Sequence, residues 1–149
     1  MKAVSAAELP HVIIYSDGAC DPNPGPGGWA ALLRFGQVEK VLSGSHPATT
    51  NNRMELTAAV EALQTLKKPC RVDFYTDSVY LQRGISEWLP RWQKRNWRRK
   101  SGELANLDLW QALIAAIDGH QIDWHWVRGH ARDQLNQRVD RLARQAIRK

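Results

Sequence analysis

The fold follows from one stretch near the N-terminus, Val12-Ile13-Ile14-Tyr15-Ser16-Asp17-Gly18, which runs into a segment dense in proline and glycine over residues 19–28. The apolar residues predict a buried strand over 11–17, and Gly18 begins a turn. A carboxylate at the end of a strand can face a ligand. A lone Asp-Gly pair is more often only a turn, so the role of Asp17 depends on the rest of the chain.

The next two apolar stretches, 29–35 and 38–42, are separated only by Gly36 and Gln37. So short a link predicts an antiparallel hairpin and, together with the first strand, a three-stranded meander. Pro47 and Ala48 are predicted to break this pattern.

A helix is predicted over 53–67, because residues 49–52 offer several N-cap side chains and the apolar residues that follow recur on one face. Glu55 leans toward that apolar face. The alternative is that Glu55 only complements the helix dipole in the first turn. That role would explain where Glu55 lies along the helix axis, but not why it lies toward the apolar face.

Residues 72–77 predict a second strand that finishes in an aspartate, Asp77. Strand–helix–strand connections are right-handed and return the new strand parallel to its partner, so Asp17 and Asp77 are expected at one edge of the sheet, where ligands bind in such folds. Further helices are predicted over 78–85, from Pro90 onward and over 107–117.

The last part of the chain predicts a half-buried strand over 122–127 and a final helix, with Asp140 at the border of its apolar stripe. We therefore expect an α/β fold built on a five-stranded mixed sheet. An antiparallel meander is followed by two further strands parallel to the first, and helices flank the sheet.

Size and composition are those of one soluble domain. The 149 residues are 43% hydrophobic and 24% charged, and no apolar run reaches membrane-spanning length. We predict a single domain over 1–149, in which residues 1–10 form a flexible extension. The absence of a signal-peptide pattern predicts a cytoplasmic protein, and the presence of only two cysteines predicts reduced thiols. We also expect a monomer without a membrane partner.

The positive charge is concentrated in one segment. Residues 91–100 carry six basic side chains and no acidic one, which accounts for the whole net charge of +6. A neutral body with one basic patch indicates a polyanionic partner.

Four carboxylates are candidates for one site: Asp17, Glu55, Asp77 and Asp140. Like charges a few ångströms apart disfavour one another, and divalent cations offset that cost. Oxygen ligands without a thiol or imidazole cluster favour Mg²⁺, with Mn²⁺ as a substitute. Two such ions can activate a water and stabilise the leaving oxygen of a phosphoryl displacement.

Five segments, in order, resemble ribonuclease H of the bacterial type 1 kind: Ser16-Asp17-Gly18, Asn23-Pro24-Gly25-Pro26-Gly27-Gly28, Thr50-Asn51-Asn52-Arg53-Met54-Glu55-Leu56, Thr76-Asp77-Ser78 and Val127-Arg128-Gly129-His130. The likeness extends over residues 10–147. It implies hydrolysis of the RNA strand of RNA/DNA hybrids with two metal ions, leaving 5′-phosphate and 3′-hydroxyl ends. The four carboxylates correspond to the metal ligands, and His130 to a histidine that shuttles protons.

The resemblance also assigns residues to substrate binding. Those near the proline-glycine segment and the first helix are Cys20, Asn23, Thr50, Asn51 and Asn52. Those in a basic protrusion over about 88–102 are Trp88, Trp92, Lys94, Arg95, Trp97, Arg98 and Arg99. Helix capping is the alternative for Asn51 and Asn52, and inward packing is the alternative for Trp88 and Trp92.

The chain departs from the family pattern at Val79, at Ala48 and around residues 133–135. These departures bear on affinity and rate more than on reaction type. Two other functions fit the residues: the nuclease domain of a retroelement, and a catalytically silent module that binds hybrids. The four carboxylates and His130 argue against the silent module.

Overall fold

A computed structural model describes residues 9–94, 105–127 and 134–147. The strands are β1 (His11–Cys20), β2 (Gly25–Phe35), β3 (Val38–Thr49), β4 (Arg71–Thr76) and β5 (Gln121–Trp126). The helices are α1 (Asn51–Gln64), α2 (Val79–Arg83), α3 (Leu89–Lys94), α4 (Leu107–Ile117) and α5 (Gln134–Ala146), and a π-helical turn (Gly84–Trp88) joins α2 to α3. Among the described helices, none is long and apolar enough to cross a membrane.

The strands form one sheet in the order β3-β2-β1-β4-β5. β1 pairs antiparallel with β2, and β2 antiparallel with β3, whereas β4 is parallel to β1 and β5 parallel to β4. The predicted mixed sheet is therefore confirmed. The long connection through α1 takes the chain from the meander to β4 and makes it parallel to β1, as crossover geometry requires.

The end of β3 and both ends of α1 were predicted wrongly. β3 continues through Pro47 and Ala48 to Thr49. It lies at the edge of the sheet, where a residue without an N–H is tolerated, and a bulge between the Gly27–His46 and Gly25–Thr49 pairs absorbs the extra residue. α1 also begins two residues earlier than predicted and ends at Gln64 rather than at 67.

The two faces of the sheet are covered differently. α1 and α4 pack on one face around a core that includes Val12, Ile14 and Phe74, all fully buried. α5 lies on the other face, where Val139 packs against Tyr15 and Leu32. This arrangement places the start of α1 and one side of α5 on opposite faces of the same sheet edge, where β1 and β4 separate.

The tryptophans of the π-helical turn and α3 pack onto the core. Trp88 and Trp92 have ring centroids 5.9 Å apart, and Trp92 makes an edge contact with the buried Trp110 at 5.9 Å. Gly84 allows this packing, because a Cβ there would clash with the Trp110 indole. Pro90 lies in the first turn of α3, as predicted.

Gly84→Ala is expected to destabilise the protein by roughly 1–3 kcal/mol, the usual cost of overpacking a core. Thermal unfolding measures the loss. Ser86→Ala, at an exposed position in the same π-helical turn, is the matched control and should change stability little. An unchanged melting temperature for Gly84→Ala would mean that Trp110 does not pack against this backbone.

Candidate active site

Asp17 and Asp77 occupy equivalent positions beyond the paired part of two parallel strands. The last β1–β4 pair is Tyr15 with Tyr75, so each aspartate follows its strand's last pair by two residues. The prediction that β1 ends at Asp17 was wrong, because pairing with β2 continues through Cys20. On one side Asp17 pairs with β2, and on the other it faces the gap beyond the last β1–β4 pair. The alternative that Asp17-Gly18 is only a turn is therefore wrong.

Glu55 reaches the same edge from α1. The helix backbone at Met54 and Glu55 lies directly against Gly18, where any Cβ would clash with it. Gly18 is needed here for this close approach. The missing side chain lets the helix bring a third carboxylate beside the first strand.

The Glu55 carboxylate is held by two hydrogen bonds. Asn51 Nδ2 donates to one oxygen at 3.1 Å, and the buried Ser78 hydroxyl donates to the other. Glu55 lies in the second turn of α1, and no acidic residue lies in the first. The helix-dipole alternative is therefore wrong, and the side chain is positioned by specific contacts.

Asp140 approaches from the opposite face of the sheet, on α5. Its side chain is 41% exposed and lies 3.3 Å from the Arg144 guanidinium one turn later. This partial exposure is what the predicted border position requires.

The four carboxylates line one open cleft of about 590 Å³, together with Gly18, Ala19, Cys20, Asp21, Asn51, Arg144 and Ile147. The sequence prediction that they share one site agrees with this geometry. Within the described residues, no three acidic, histidine or cysteine side chains are close enough to form a coordination sphere alone. A bound ion would also need ligands from water or substrate, as Mg²⁺ ordinarily does.

The cleft is electrostatically suited to a cation. Burial, together with the charges of Asp77 and Asp140, raises the pKa of Asp17 from its ordinary 3.8 to about 9, against the effect of a hydrogen bond from the Gly18 N–H. Burial and Asp77 also raise the pKa of Glu55, while Ser78 and Asn51 lower it. Negative charge is costly in this cleft, and an all-oxygen donor set fits a hard divalent cation.

The sequence model of the family described as RNase H matches residues 10–148. The chain belongs to the ribonuclease H family. It is 51% identical to a ribonuclease H of Nitrobacter hamburgensis, with 97% of this chain and 96% of that one aligned. It is 58% identical to a ribonuclease H of Acidiphilium cryptum, over 89% of this chain and 83% of the other.

The fold is also that of a solved ribonuclease H. The crystal structure of LC9-RNase H1, a type 1 RNase H with the type 2 active-site motif, superposes with a TM-score of 0.85 at 37% identity and covers 93% of this chain and 72% of that one. The family and the fold class predicted from the sequence are thus confirmed. The activity of the family is metal-dependent endonucleolytic hydrolysis of the RNA in RNA/DNA hybrids.

The residues predicted to bind substrate near the first helix mostly have structural contacts as well. Thr50 is the N-cap of α1 and accepts a hydrogen bond from Arg53 N at 3.2 Å, so the capping alternative for Asn51 and Asn52 is wrong. Asn23 accepts a hydrogen bond from the Asn51 N–H at 3.1 Å, which ties the proline-glycine segment to the helix. Asn52 is exposed.

Cys20 lies where the proline-glycine segment lines the cleft. Its Sγ is 3.3 Å from the carbonyl oxygens of both Pro22 and Gly25. The thiol thus holds the backbone that the sequence predicts to follow the RNA strand. That role remains a prediction.

The predicted basic protrusion is described only in part. Trp88 and Trp92 are half-buried against Trp110, so both pack inward, as the alternative to substrate binding predicted. Substrate contact by either residue stays a prediction. Lys94 is exposed at the end of α3. His130, Arg95, Trp97, Arg98 and Arg99 lie outside the described residues.

Sequence reasoning missed three residues around the carboxylates: Ser78, Asn136 and Arg144. Ser78 also caps α2, accepting a hydrogen bond from the Leu81 N–H at 3.0 Å. Asn136 and Arg144 lie one turn before and one turn after Asp140. Their spacing of four residues from an aspartate was the available signal, since such residues share a helix face.

Proposed function

We propose that this chain hydrolyses the RNA strand of RNA/DNA hybrids in the acidic cleft, and that Asp17, Glu55, Asp77 and Asp140 hold two Mg²⁺ ions there. The observation that carries the proposal is the convergence of all four carboxylates on one cleft at the carboxyl edge of the sheet. Mn²⁺ is the expected substitute, because its ligand preference is similar.

The four carboxylates that line the cleft would be the protein's ligands to these ions, and water and substrate oxygens would complete the coordination. When bound, Mg²⁺ supplies an activated water and stabilises charge on the leaving oxygen. Asp17 is the most central of the four carboxylates, because it is affected electrostatically by both Asp77 and Asp140. Asp17 would therefore supply negative charge to a cation bound anywhere among these carboxylates.

The other residues orient the substrate and move protons. The backbone of residues 18–21 lines the cleft beside Asp17, where it can follow a ribose strand and contact the 2′-hydroxyl that distinguishes RNA from DNA. His130 is assigned proton transfer to the departing 3′-oxygen, because an imidazole titrates near neutrality. The basic segment after α3 is assigned to the phosphates of the DNA strand.

A substrate panel tests the proposal. An end-labelled RNA/DNA hybrid, the same RNA single-stranded, and the RNA duplex are each incubated with the protein in Mg²⁺ or in EDTA. We expect cleavage of the hybrid alone, only with Mg²⁺, and products with 5′-phosphate ends. Equal cleavage of single-stranded RNA would contradict the proposal, and tight hybrid binding without cleavage would favour the silent binding module.

The basic segment yields a separate prediction. Replacing Lys94, Arg95, Arg98 and Arg99 by alanine should raise KM for the hybrid roughly tenfold, at a few tenths of a kcal/mol for each charge, and change kcat much less. The slope of log affinity against log salt should become shallower by about 0.9 for each phosphate that the variant no longer neutralises.

The control for this lysine and these three arginines is Lys67→Ala with Lys68→Ala, two basic residues that follow the end of α1 remote from the cleft. This control should leave KM and the salt slope unchanged. If the protrusion variant keeps the wild-type KM and slope, the basic segment is only a solvated face.

A further inference from the structure

Asn136 is a buried polar residue that packing alone does not explain. It exposes 3% of its surface, and the other buried residues of α5 are Val139 and Ala143. Burying an amide costs free energy that a leucine or alanine would not cost. Stability alone would therefore favour an apolar residue at this position.

Asn136 contacts a carboxylate of the cleft. Its Nδ2 donates to Asp77 Oδ2 at 3.4 Å, across from α5 to the end of β4. Asn136 precedes Asp140 by four residues, so both side chains project from the same side of the helix. One face of α5 thus provides a carboxylate to the cleft and a hydrogen-bond donor to another of its carboxylates.

The chemistry of the donor matters. A lysine or arginine at this buried position would orient Asp77 but would also neutralise it and compete with a cation. An amide donates a hydrogen bond without a charge. It restrains one oxygen of Asp77 and leaves the carboxylate's negative charge available to a metal ion.

We propose that Asn136 is a positioning residue for Asp77, which it holds in the orientation that binds a divalent cation. The inference rests on the proposed function of the cleft as a Mg²⁺ site. Partners that orient metal ligands in this way typically change metal affinity 10- to 100-fold when removed. Asn136 acts through Asp77 and does not itself contact the substrate.

The test measures Mg²⁺ affinity directly, in the absence of substrate. Mg²⁺ is titrated into wild type, Asn136→Ala and Asn136→Leu by calorimetry, and by the rise in melting temperature with Mg²⁺ concentration. We expect a Kd for Mg²⁺ about tenfold weaker in both variants. Asn136→Leu should nevertheless be at least as stable as wild type in EDTA, because it removes a buried amide without leaving a cavity.

Val139→Ala is the matched control, since it perturbs a fully buried position on the same helix that packs against Tyr15 and Leu32 instead of Asp77. It should lower stability and leave the Kd for Mg²⁺ unchanged.

In hybrid cleavage, raised Mg²⁺ should restore the kcat of the Asn136 variants, with KM for the hybrid within twofold of wild type.

A Kd within twofold of wild type in both Asn136 variants would overturn the inference, as would a wild type that binds no Mg²⁺. Weaker Mg²⁺ binding by the variants together with a wild type that does not cleave hybrids would leave the inference standing and reject the proposed function. The two failures are therefore distinguishable.

Discussion

Asp17→Asn is expected to lower the rate of hybrid hydrolysis by at least about a hundredfold to a thousandfold, the loss seen when one preorganised electrostatic group is removed from an active site. Asp17 is 6% exposed as a residue, and its carboxylate is affected electrostatically by Asp77 and Asp140. An amide of the same shape cannot supply the charge that the site needs for a cation. Single-turnover cleavage of an end-labelled hybrid in Mg²⁺ measures the effect.

The control for Asp17→Asn is Asp123→Asn, which removes an exposed carboxylate from β5. It should cleave at the wild-type rate. Hybrid binding by Asp17→Asn, measured by fluorescence anisotropy, should be at least as tight as that of wild type, because the substrate is anionic. A variant that retains more than a tenth of the wild-type rate would show that Asp17 is not a metal ligand.

The same substitution is expected to stabilise the protein when metal is absent. Burial and two neighbouring carboxylates raise the pKa of Asp17 from 3.8 to about 9, so between these values the folded protein binds a proton that the unfolded chain has lost. Stability contributed by this group is complete below pH 4 and is lost as pH rises toward 9. Because an asparagine does not ionise, Asp17→Asn does not lose this stability as pH rises.

In EDTA at pH 8, Asp17→Asn should therefore be more stable than wild type by at least about 1.4 kcal/mol, the equivalent of one pKa unit. For a chain of this size that corresponds to a rise in Tm of roughly 3–6 °C. The difference should shrink as pH falls from 8 to 5. Scanning calorimetry of both proteins across this range measures it, and a variant less stable than wild type at pH 8 would contradict the assigned electrostatics.

Much of the fold could be predicted because its signals are local. The apolar run before Asp17, the two-residue link at Gly36 and Gln37, and the helical stripe through Leu56 and Leu63 each specify an element and its neighbour. Strand ends could not be predicted in the same way. β1 continues past Asp17 because Gly18, Ala19 and Cys20 pair with β2, and β3 passes Pro47 because it lies at an edge.

The candidate site, like the fold, could be predicted only in part. Topology alone placed Asp17 and Asp77 at one edge, helix faces made Glu55 and Asp140 candidates for the same site, and the family resemblance joined the four. Their supporting contacts could not be predicted, because they join residues far apart in the chain: Ser78 with Glu55, and Asn136 with Asp77. A polar residue on the apolar stripe of a helix, such as Asn136, indicates a site only when the structure shows which residue it contacts.

The most direct test of the central claim is where a divalent cation binds. Mn²⁺ is titrated into ¹⁵N-labelled protein, and the paramagnetic loss of amide signals is followed residue by residue. The four-carboxylate cleft predicts that signals of Gly18, Glu55, Ser78 and Asp140 disappear first in wild type, and at higher Mn²⁺ in Asp17→Asn. Early losses around another acidic position such as Asp118 or Asp123, with the cleft signals intact, would contradict the claim.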